Sequence, residues 1–111
     1  RLHRAQQAGE VGTWEWELTT GAGAWSDAAR LLLDLPDDTE QISHDVWTSR
    51  IHPDDRERAV QKLDEARSTG TYRDEFRILG DDRHVKWVEF VGAADGPPSA
   101  PQYLRGAVRN I

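Results

Sequence analysis

The segment His52-Pro53-Asp54-Asp55 places an imidazole and two carboxylates together, a combination that can bind a metal ion or transfer protons. The same four residues also predict the start of a helix. Proline fits the first helical position, where no backbone donor is needed, and acidic side chains are favoured near the positive end of the helix dipole. We therefore interpret the segment as a helix start. A small metal-dependent enzyme that uses Asp54 and Asp55 is kept as an alternative function.

No other pattern in the sequence predicts catalysis. The chain has no glycine-rich phosphate loop, no nucleophile elbow and no pair of histidines at metal-binding helical spacing. It has no cysteine, which excludes disulfides, zinc–thiolate sites and a cysteine nucleophile. We expect that this chain is not an enzyme and that it holds no metal.

Composition and charge predict one globular domain of 111 residues, with 37% hydrophobic and 31% charged residues. Its net charge is −6, and its lysines and arginines are scattered rather than gathered in a basic stripe. Binding to nucleic acid or to an anionic membrane usually needs such a stripe. We expect a cytoplasmic domain that contacts neither.

Periodicity and capping residues predict the elements. Alternation such as that of Trp14, Trp16 and Leu18 with Glu15 and Glu17 indicates half-buried strands. The predicted strands cover about 12–18, 24–25, 72–79, 84–93 and 102–109. The predicted helices cover 27 to about 33, 44 to about 50, and 53 to about 69. We divide the chain into an N-terminal helical segment or linker at 1–8 and a domain at 9–111.

Two strands precede these helices and three follow them. The first pair must therefore join the last three in one sheet, so we expect an α+β fold with a five-stranded antiparallel sheet and the helices on one face. The strand at 84–93 has large apolar side chains on both faces, so its second face needs a cover. For the charged residues of the central hairpin we expect pairing across the two strands on a solvated face; these residues are Glu75, Arg77, Lys86 and Glu89.

Several short segments, in this order, resemble the PAS sensor domain of the subclass with a His-Pro-Asp-Asp helix start and PAC-like C-terminal strands. The segments that carry the resemblance are 12–16, 20–21, 25–26, 51–55, 75–78, 86–88 and 106–111. The resemblance implies the PAS fold and a sensory or regulatory module in a larger cytoplasmic signal-transduction protein. It also implies a homodimer and an output domain in the same parent chain, in two-component or cyclic-dinucleotide signalling.

The chain departs from the family pattern at two places. The central hairpin turn has Asp82-Arg83 where the family often has Asp-Gly, which predicts a different turn or some backbone strain. The last strand ends in Asn110-Ile111, where the family often ends in Asp-Ile-Thr, so an amide replaces a carboxylate.

We predict no cofactor. Haem-binding members of the family use a histidine on the long helix, and residues 54–69 contain none. The light-sensing relatives need a cysteine beside their flavin, so a cysteinyl-flavin adduct is excluded by the absence of cysteine. Whether the domain binds an unknown small molecule stays open.

Two sets of residues are candidate functional sites. The side chains that we expect to face a ligand pocket are Trp47, Phe76, Ile78, Val88 and Phe90. Those that we expect at a dimer interface are Leu2, Ala5, Val85, Trp87 and Val91. The two functions that remain open are a sensor that binds a small molecule or mediates protein interaction, and a homodimerisation module that binds no ligand.

Overall fold

The computed structural model describes residues 11–35, 42–80, 82–96 and 101–111. The strands in these ranges are β1 (Val11–Glu17), β2 (Gly23–Trp25), β3 (Thr71–Leu79), β4 (Val85–Asp95) and β5 (Tyr103–Asn110). The helices are α1 (Asp27–Leu32), α2 (His44–Arg50) and α3 (Pro53–Thr69). The helical segment predicted at 1–8, with Leu2 and Ala5, lies outside the described residues.

The five strands form one antiparallel sheet in the order β2-β1-β5-β4-β3. The first and last strands pair along their length, from Val11 opposite Arg109 to Glu17 opposite Tyr103. This pairing joins the N-terminal pair of strands to the C-terminal three, as the order of elements predicted. The predicted α+β fold is confirmed. No helix in the described ranges is both long and apolar enough to cross a membrane.

A capping residue precedes each helix. The Ser26 hydroxyl accepts hydrogen bonds from the backbone N–H groups of Ala29 (3.2 Å) and Thr13 (2.9 Å), so it caps α1 and also fixes α1 to β1. Ser43 caps α2 in the same manner. His52 caps α3, where its Nδ1 accepts from the backbone N–H of Asp54 at 3.1 Å.

The core lies between the helices and the inner face of the sheet, and Trp14 is at its centre. Its indole crosses β4 at Gly92, where an added Cβ atom would lie 2.7 Å from the ring. Any larger residue at that position would collide with the indole. The Trp14 indole N–H donates to the Ala107 carbonyl at 2.9 Å, and the ring lies edge to face with Tyr72 at 5.7 Å.

Strand β3 is one edge of the sheet, and α3 covers that edge with charged side chains. Asp55 of α3 binds Arg77 of β3 in a bidentate pair: Oδ1 accepts from Nη2 at 2.7 Å, and Oδ2 accepts from Nε at 3.0 Å. Oδ2 also accepts from the Arg77 backbone N–H at 2.9 Å. One turn along α3, Arg58 binds the Asp74 carboxylate and the Glu75 carbonyl. The Arg77 N–H and the Glu75 carbonyl, which could otherwise pair with another strand, are therefore hydrogen-bonded to side chains of α3.

The sequence predicted a different turn or some backbone strain at the central hairpin, and the structure places a strained backbone conformation at Arg83. Arg83 has a φ angle of 67°, in the left-handed region that glycine adopts without cost. Next to it, the Asp82 carboxylate accepts from the His84 backbone N–H at 3.0 Å and lies 2.7 Å from His84 Nδ1. The hydrogen bond to Asp82 raises the pKa of His84.

The predicted pairing among the four hairpin charges is wrong. Register places Glu75 opposite Glu89, while Arg77 turns to Asp55 on α3. Lys86 lies on the inner side and donates to the Leu32 carbonyl at 3.2 Å. Glu89 is buried on the outer face. A register shifted by two residues would place Arg77 opposite Glu89 and keep every side chain on the same face. Alternation alone therefore does not fix which charges are partners.

We predict that Asp55→Asn lowers the free energy of unfolding by about 1 to 2 kcal/mol at neutral pH. The asparagine amide is neutral and has only one acceptor oxygen, so it cannot replace the bidentate ion pair. Arg77 is left without its charged partner. Urea unfolding followed by circular dichroism measures the change. Asp54→Asn is the matched control, since Asp54 is exposed in the same helical turn; we expect less than about 0.5 kcal/mol there.

The difference between wild type and Asp55→Asn should depend on pH. The hydrogen bonds from Arg77 lower the pKa of Asp55 from 3.8 to about 2, against the opposing effect of burial. A group whose pKa is lower in the folded state stabilises the fold at pH values above its unfolded-state pKa. This stabilisation is lost as the pH falls through the folded-state pKa. The difference should therefore be constant above about pH 5 and shrink towards pH 2. A difference that is the same at pH 7 and pH 2.5 would contradict the assignment of this pair.

Candidate functional site

The His52-Pro53-Asp54-Asp55 segment is a structural helix start. Both carboxylate oxygens of Asp55 are bound by Arg77, and His52 Nδ1 is used as the cap. Across the parts of the chain that the structure describes, no three histidine, aspartate or glutamate side chains are grouped as metal ligands. The segment fixes α3 to β3, and its carboxylates are not arranged as a metal or acid–base centre.

The five predicted pocket residues lie together in the core between α2 and the inner face of β3 and β4. All are at most 1% exposed. Phe76 stacks on Phe90 with 5.1 Å between ring centroids, and Trp47 lies edge to face with Phe76 at 5.9 Å. Ile78 and Val88 complete the group. The sequence therefore placed these five side chains correctly, on one helix and on the same face of two strands. Whether the group contacts a ligand stays a prediction.

Three further tryptophans, not predicted for the pocket, extend this cluster towards β1 and β2. Trp16 lies edge to face with Trp25 at 5.9 Å and with Trp47 at 6.1 Å. Trp25 contacts Phe90 at 5.6 Å, and Trp14 contacts the same ring at 5.8 Å. The alternation of Trp14 and Trp16 in the sequence predicted burial, but it did not indicate that the Trp16 ring would contact Trp47.

The core also contains polar atoms that sequence reasoning did not single out as a site. Within the described residues, four buried side-chain atoms have no hydrogen-bond partner: Trp25 Nε1, Trp47 Nε1, Tyr72 Oη and Asp74 Oδ2. Buried polar groups are nearly always paired with protein or with a bound molecule. The signal in the sequence was the position of Asp74, since an aspartate on the apolar face of a strand marks a buried charge.

The predicted interface residues that the structure describes lie on the outer face of the sheet. Val85 is 50% exposed and Trp87 is 48% exposed, while Val91 is half-buried. Ile111, which is also about half exposed, follows β5, where its N–H donates to the Trp87 carbonyl at 3.0 Å. These four side chains define what we call the outer patch: Val85, Trp87, Val91 and Ile111.

The amide of Asn110 also bonds to this region, donating to the Trp87 carbonyl at 3.1 Å. The carboxylate that the family often has at this position has no proton to donate at neutral pH. The departure from the family pattern therefore gives the end of β5 an additional bond to Trp87.

Arg77 connects the outer patch to the helix layer. Its guanidinium, held by Asp55, lies 5.5 Å from the centroid of the Trp87 ring, within cation–π range. Asp55 belongs to α3, and Trp87 belongs to the opposite face of the sheet. One side chain therefore contacts a helix on one side and the outer patch on the other.

A buried carboxylate lies next to the patch. Glu89 is 5% exposed on the outer face, and its two oxygens accept from Arg109 Nε at 2.7 Å and from Arg73 Nη2 at 3.1 Å. The hydrogen bond from Arg109 is the main cause that lowers the pKa of Glu89. Both arginine side chains are more than half exposed, so this part of the face presents positive charge to solvent.

Comparisons with known proteins agree with this geometry. A family model described as the PAS fold matches residues 24–106. The sensor protein FixL of Bradyrhizobium diazoefficiens is 40% identical over 81 residues, and the probable diguanylate cyclase DgcE of Escherichia coli is 32% identical over 89 residues. These matches cover 70% and 78% of this chain, but the chain spans only 15% and 8% of the two proteins.

Solved structures show the same fold. The N-terminal domain of a diguanylate cyclase with PAS/PAC sensor from Marinobacter aquaeolei has a TM-score of 0.80 and 23% identity, covering 91% of this chain and 94% of that one. A sensory box histidine kinase/response regulator from Burkholderia thailandensis has a TM-score of 0.76 and 24% identity, covering 100% of this chain and 84% of that one. On the family match, the FixL identity and the strand order together, this chain belongs to the PAS-fold family of sensory domains.

Proposed function

We propose that this domain is the sensory and regulatory module of a larger cytoplasmic signal-transduction protein, and that it communicates with a second copy of itself through the outer patch. The observation that carries the proposal is the position of Arg77. It binds Asp55 of α3 and lies over Trp87 of the outer patch, so the two faces of the sheet share one side chain.

The mechanism is a change in the packing of α3 that alters the outer patch. If a ligand or partner moves α3, Asp55 and the Arg77 guanidinium move with it, and the surface that Trp87 presents changes. Such a signal needs a ligand with different affinities for the two arrangements of α3. The Asp55–Arg77 pair is the element that transmits the difference.

A second copy of the chain fits the outer face because that face carries charges of both signs around an apolar centre. Positive groups lie at Arg73 and Arg109, and Arg105 pairs with Glu15 and Asp95 further along the face. In a twofold symmetric contact, each patch meets its own copy in reverse, so a surface with both signs can match itself. An exposed tryptophan is also typical of interface centres.

The relatives support an output domain in the same parent chain, because they carry this domain as a small part of a longer protein. The names FixL and diguanylate cyclase favour two-component or cyclic-dinucleotide signalling for that output. We propose no catalytic activity for the domain itself, since Asp55, one of the two carboxylates considered for a catalytic centre, is bound by Arg77 and holds α3 on β3.

A homodimerisation module without a ligand is the second candidate, and the packing of the core favours it. The five residues predicted to face a pocket contact one another and the neighbouring tryptophans. The unpartnered polar atoms of the core favour the sensor instead, because they leave hydrogen bonds for a bound molecule to make.

We predict that Trp87→Glu abolishes self-association and leaves the domain folded. Trp87 is half exposed, so its loss removes little core packing, while a carboxylate at the centre of an apolar contact costs binding energy. Sedimentation velocity over a range of concentrations measures the oligomeric state, and circular dichroism checks the fold.

Two control variants make this result specific. Leu31→Glu puts the same charge on an exposed apolar residue of α1, in the helix layer, and should stay dimeric. Trp47→Ala removes a fully buried ring and should destabilise the fold by about 3 kcal/mol or more. A wild-type domain that is monomeric at every concentration, or a dimeric Trp87→Glu, would overturn the proposed interface.

We also predict that freshly purified domain shows no visible absorption band. The lack of a histidine on α3 disfavours haem, the lack of any cysteine excludes a cysteinyl-flavin adduct, and no sequence signal favours a non-covalent flavin. An absorption spectrum of the undenatured protein is sufficient. A haem or flavin band would show that the prediction of no cofactor is wrong, without bearing on the interface.

A further inference from the structure

Two oxygen atoms on one strand are buried without any hydrogen-bond partner. Tyr72 and Asp74 are 4% and 5% exposed, and neither Tyr72 Oη nor Asp74 Oδ2 has a partner in the part of the chain that the structure describes. Leaving a buried hydroxyl and a buried carboxylate oxygen unpaired costs free energy that the fold recovers only if a third group fills the gap.

The two side chains emerge next to each other from the inner face of β3. Residues i and i+2 of a strand have Cα atoms about 6.6 Å apart and point to the same side. No direct hydrogen bond joins the two oxygens. A single bridging O–H group can span about 5.5 Å, because each of its hydrogen bonds is about 2.7 to 2.8 Å long.

Neighbouring groups do not fill this role. The Arg58 guanidinium and the Glu75 backbone N–H both bind Asp74 Oδ1. The aromatic partners of Tyr72 are Trp14 and Phe90, and the Trp14 N–H already donates to a carbonyl of β5. Burial, and then the charge of Asp74, raise the pKa of Tyr72, so its hydroxyl keeps its proton and can donate.

We propose that Tyr72 and Asp74 form a buried site for one hydroxyl group, supplied by a water molecule or by a small ligand. The bound O–H donates to Asp74 Oδ2 and accepts from the Tyr72 hydroxyl. Asp74 Oδ1 binds Arg58 of α3, so the occupant contacts the same carboxylate that holds α3 on β3. Exchange of water for a ligand hydroxyl at this site acts on the docking of α3. The site lies on the inner face of the sheet, and its residues do not belong to the outer patch.

The test compares the wild-type domain with Tyr72→Phe, which keeps the ring and removes only the hydroxyl. Oxygen-17 relaxation dispersion counts long-lived internal waters, and native mass spectrometry detects a co-purified small molecule. We expect Tyr72→Phe to lose either one long-lived water or a bound mass, depending on which source supplies the hydroxyl. We also expect its unfolding equilibrium constant to rise by up to about tenfold.

Tyr103→Phe is the matched control, because Tyr103 lies on β5 with its ring against the exposed Arg105 guanidinium. It should retain both the water count and any bound mass. If Tyr72→Phe keeps the same water count, shows no change in bound mass and is as stable as wild type, the site does not exist. The proposed interface is tested separately by the self-association of Trp87→Glu, so failure of this site would be distinct from failure of that interface.

Discussion

The bidentate pair between Asp55 and Arg77 is the interaction on which the arrangement of this domain depends. It ties the first turn of α3 to the edge strand β3, and the same carboxylate accepts the Arg77 backbone N–H. Without it, the long helix would lose its anchor, and an edge strand would present an unpaired amide to solvent or to another chain. The pair also fixes the guanidinium that lies over Trp87.

A second anchor one helical turn later gives α3 its orientation on the sheet. Arg58 binds Asp74 and the Glu75 carbonyl, so α3 contacts β3 through two guanidinium–carboxylate pairs of opposite direction. In the first pair the helix supplies the carboxylate, and in the second it supplies the arginine. A change in how α3 packs must therefore alter side chains of β3, and these reach both the core and the outer patch.

Local signals in the sequence predicted the elements. Capping residues and proline at the first helical position predicted the helices, and alternation predicted the strands to within two residues. These features depend on residues next to one another in the chain, and their physics is local. The order of strands around the helices then allowed one sheet.

The side-chain partners were much less predictable. Asp55 and Arg77 are 22 positions apart, and neither local sequence indicates that the other residue is its partner. The hairpin charges were expected to pair with one another, but the register placed Glu75 opposite Glu89 and sent Arg77 to the helix. The polar site at Tyr72 and Asp74 could be recognised only from the burial of each atom in the folded structure. Partner choice depends on register and on the position of α3, which are properties of the whole fold.

The most direct test of the link between α3 and the outer patch is the NMR resonance of the Trp87 indole N–H, assigned with a Trp87→Phe variant. Asp55 contacts Arg77, and Arg77 lies over Trp87, so Asp55→Asn should shift this resonance, while Asp54→Asn should leave it in place. A Trp87 resonance that is unchanged in a folded Asp55→Asn domain would show that the outer patch does not respond to α3, and would contradict the proposed route of the signal.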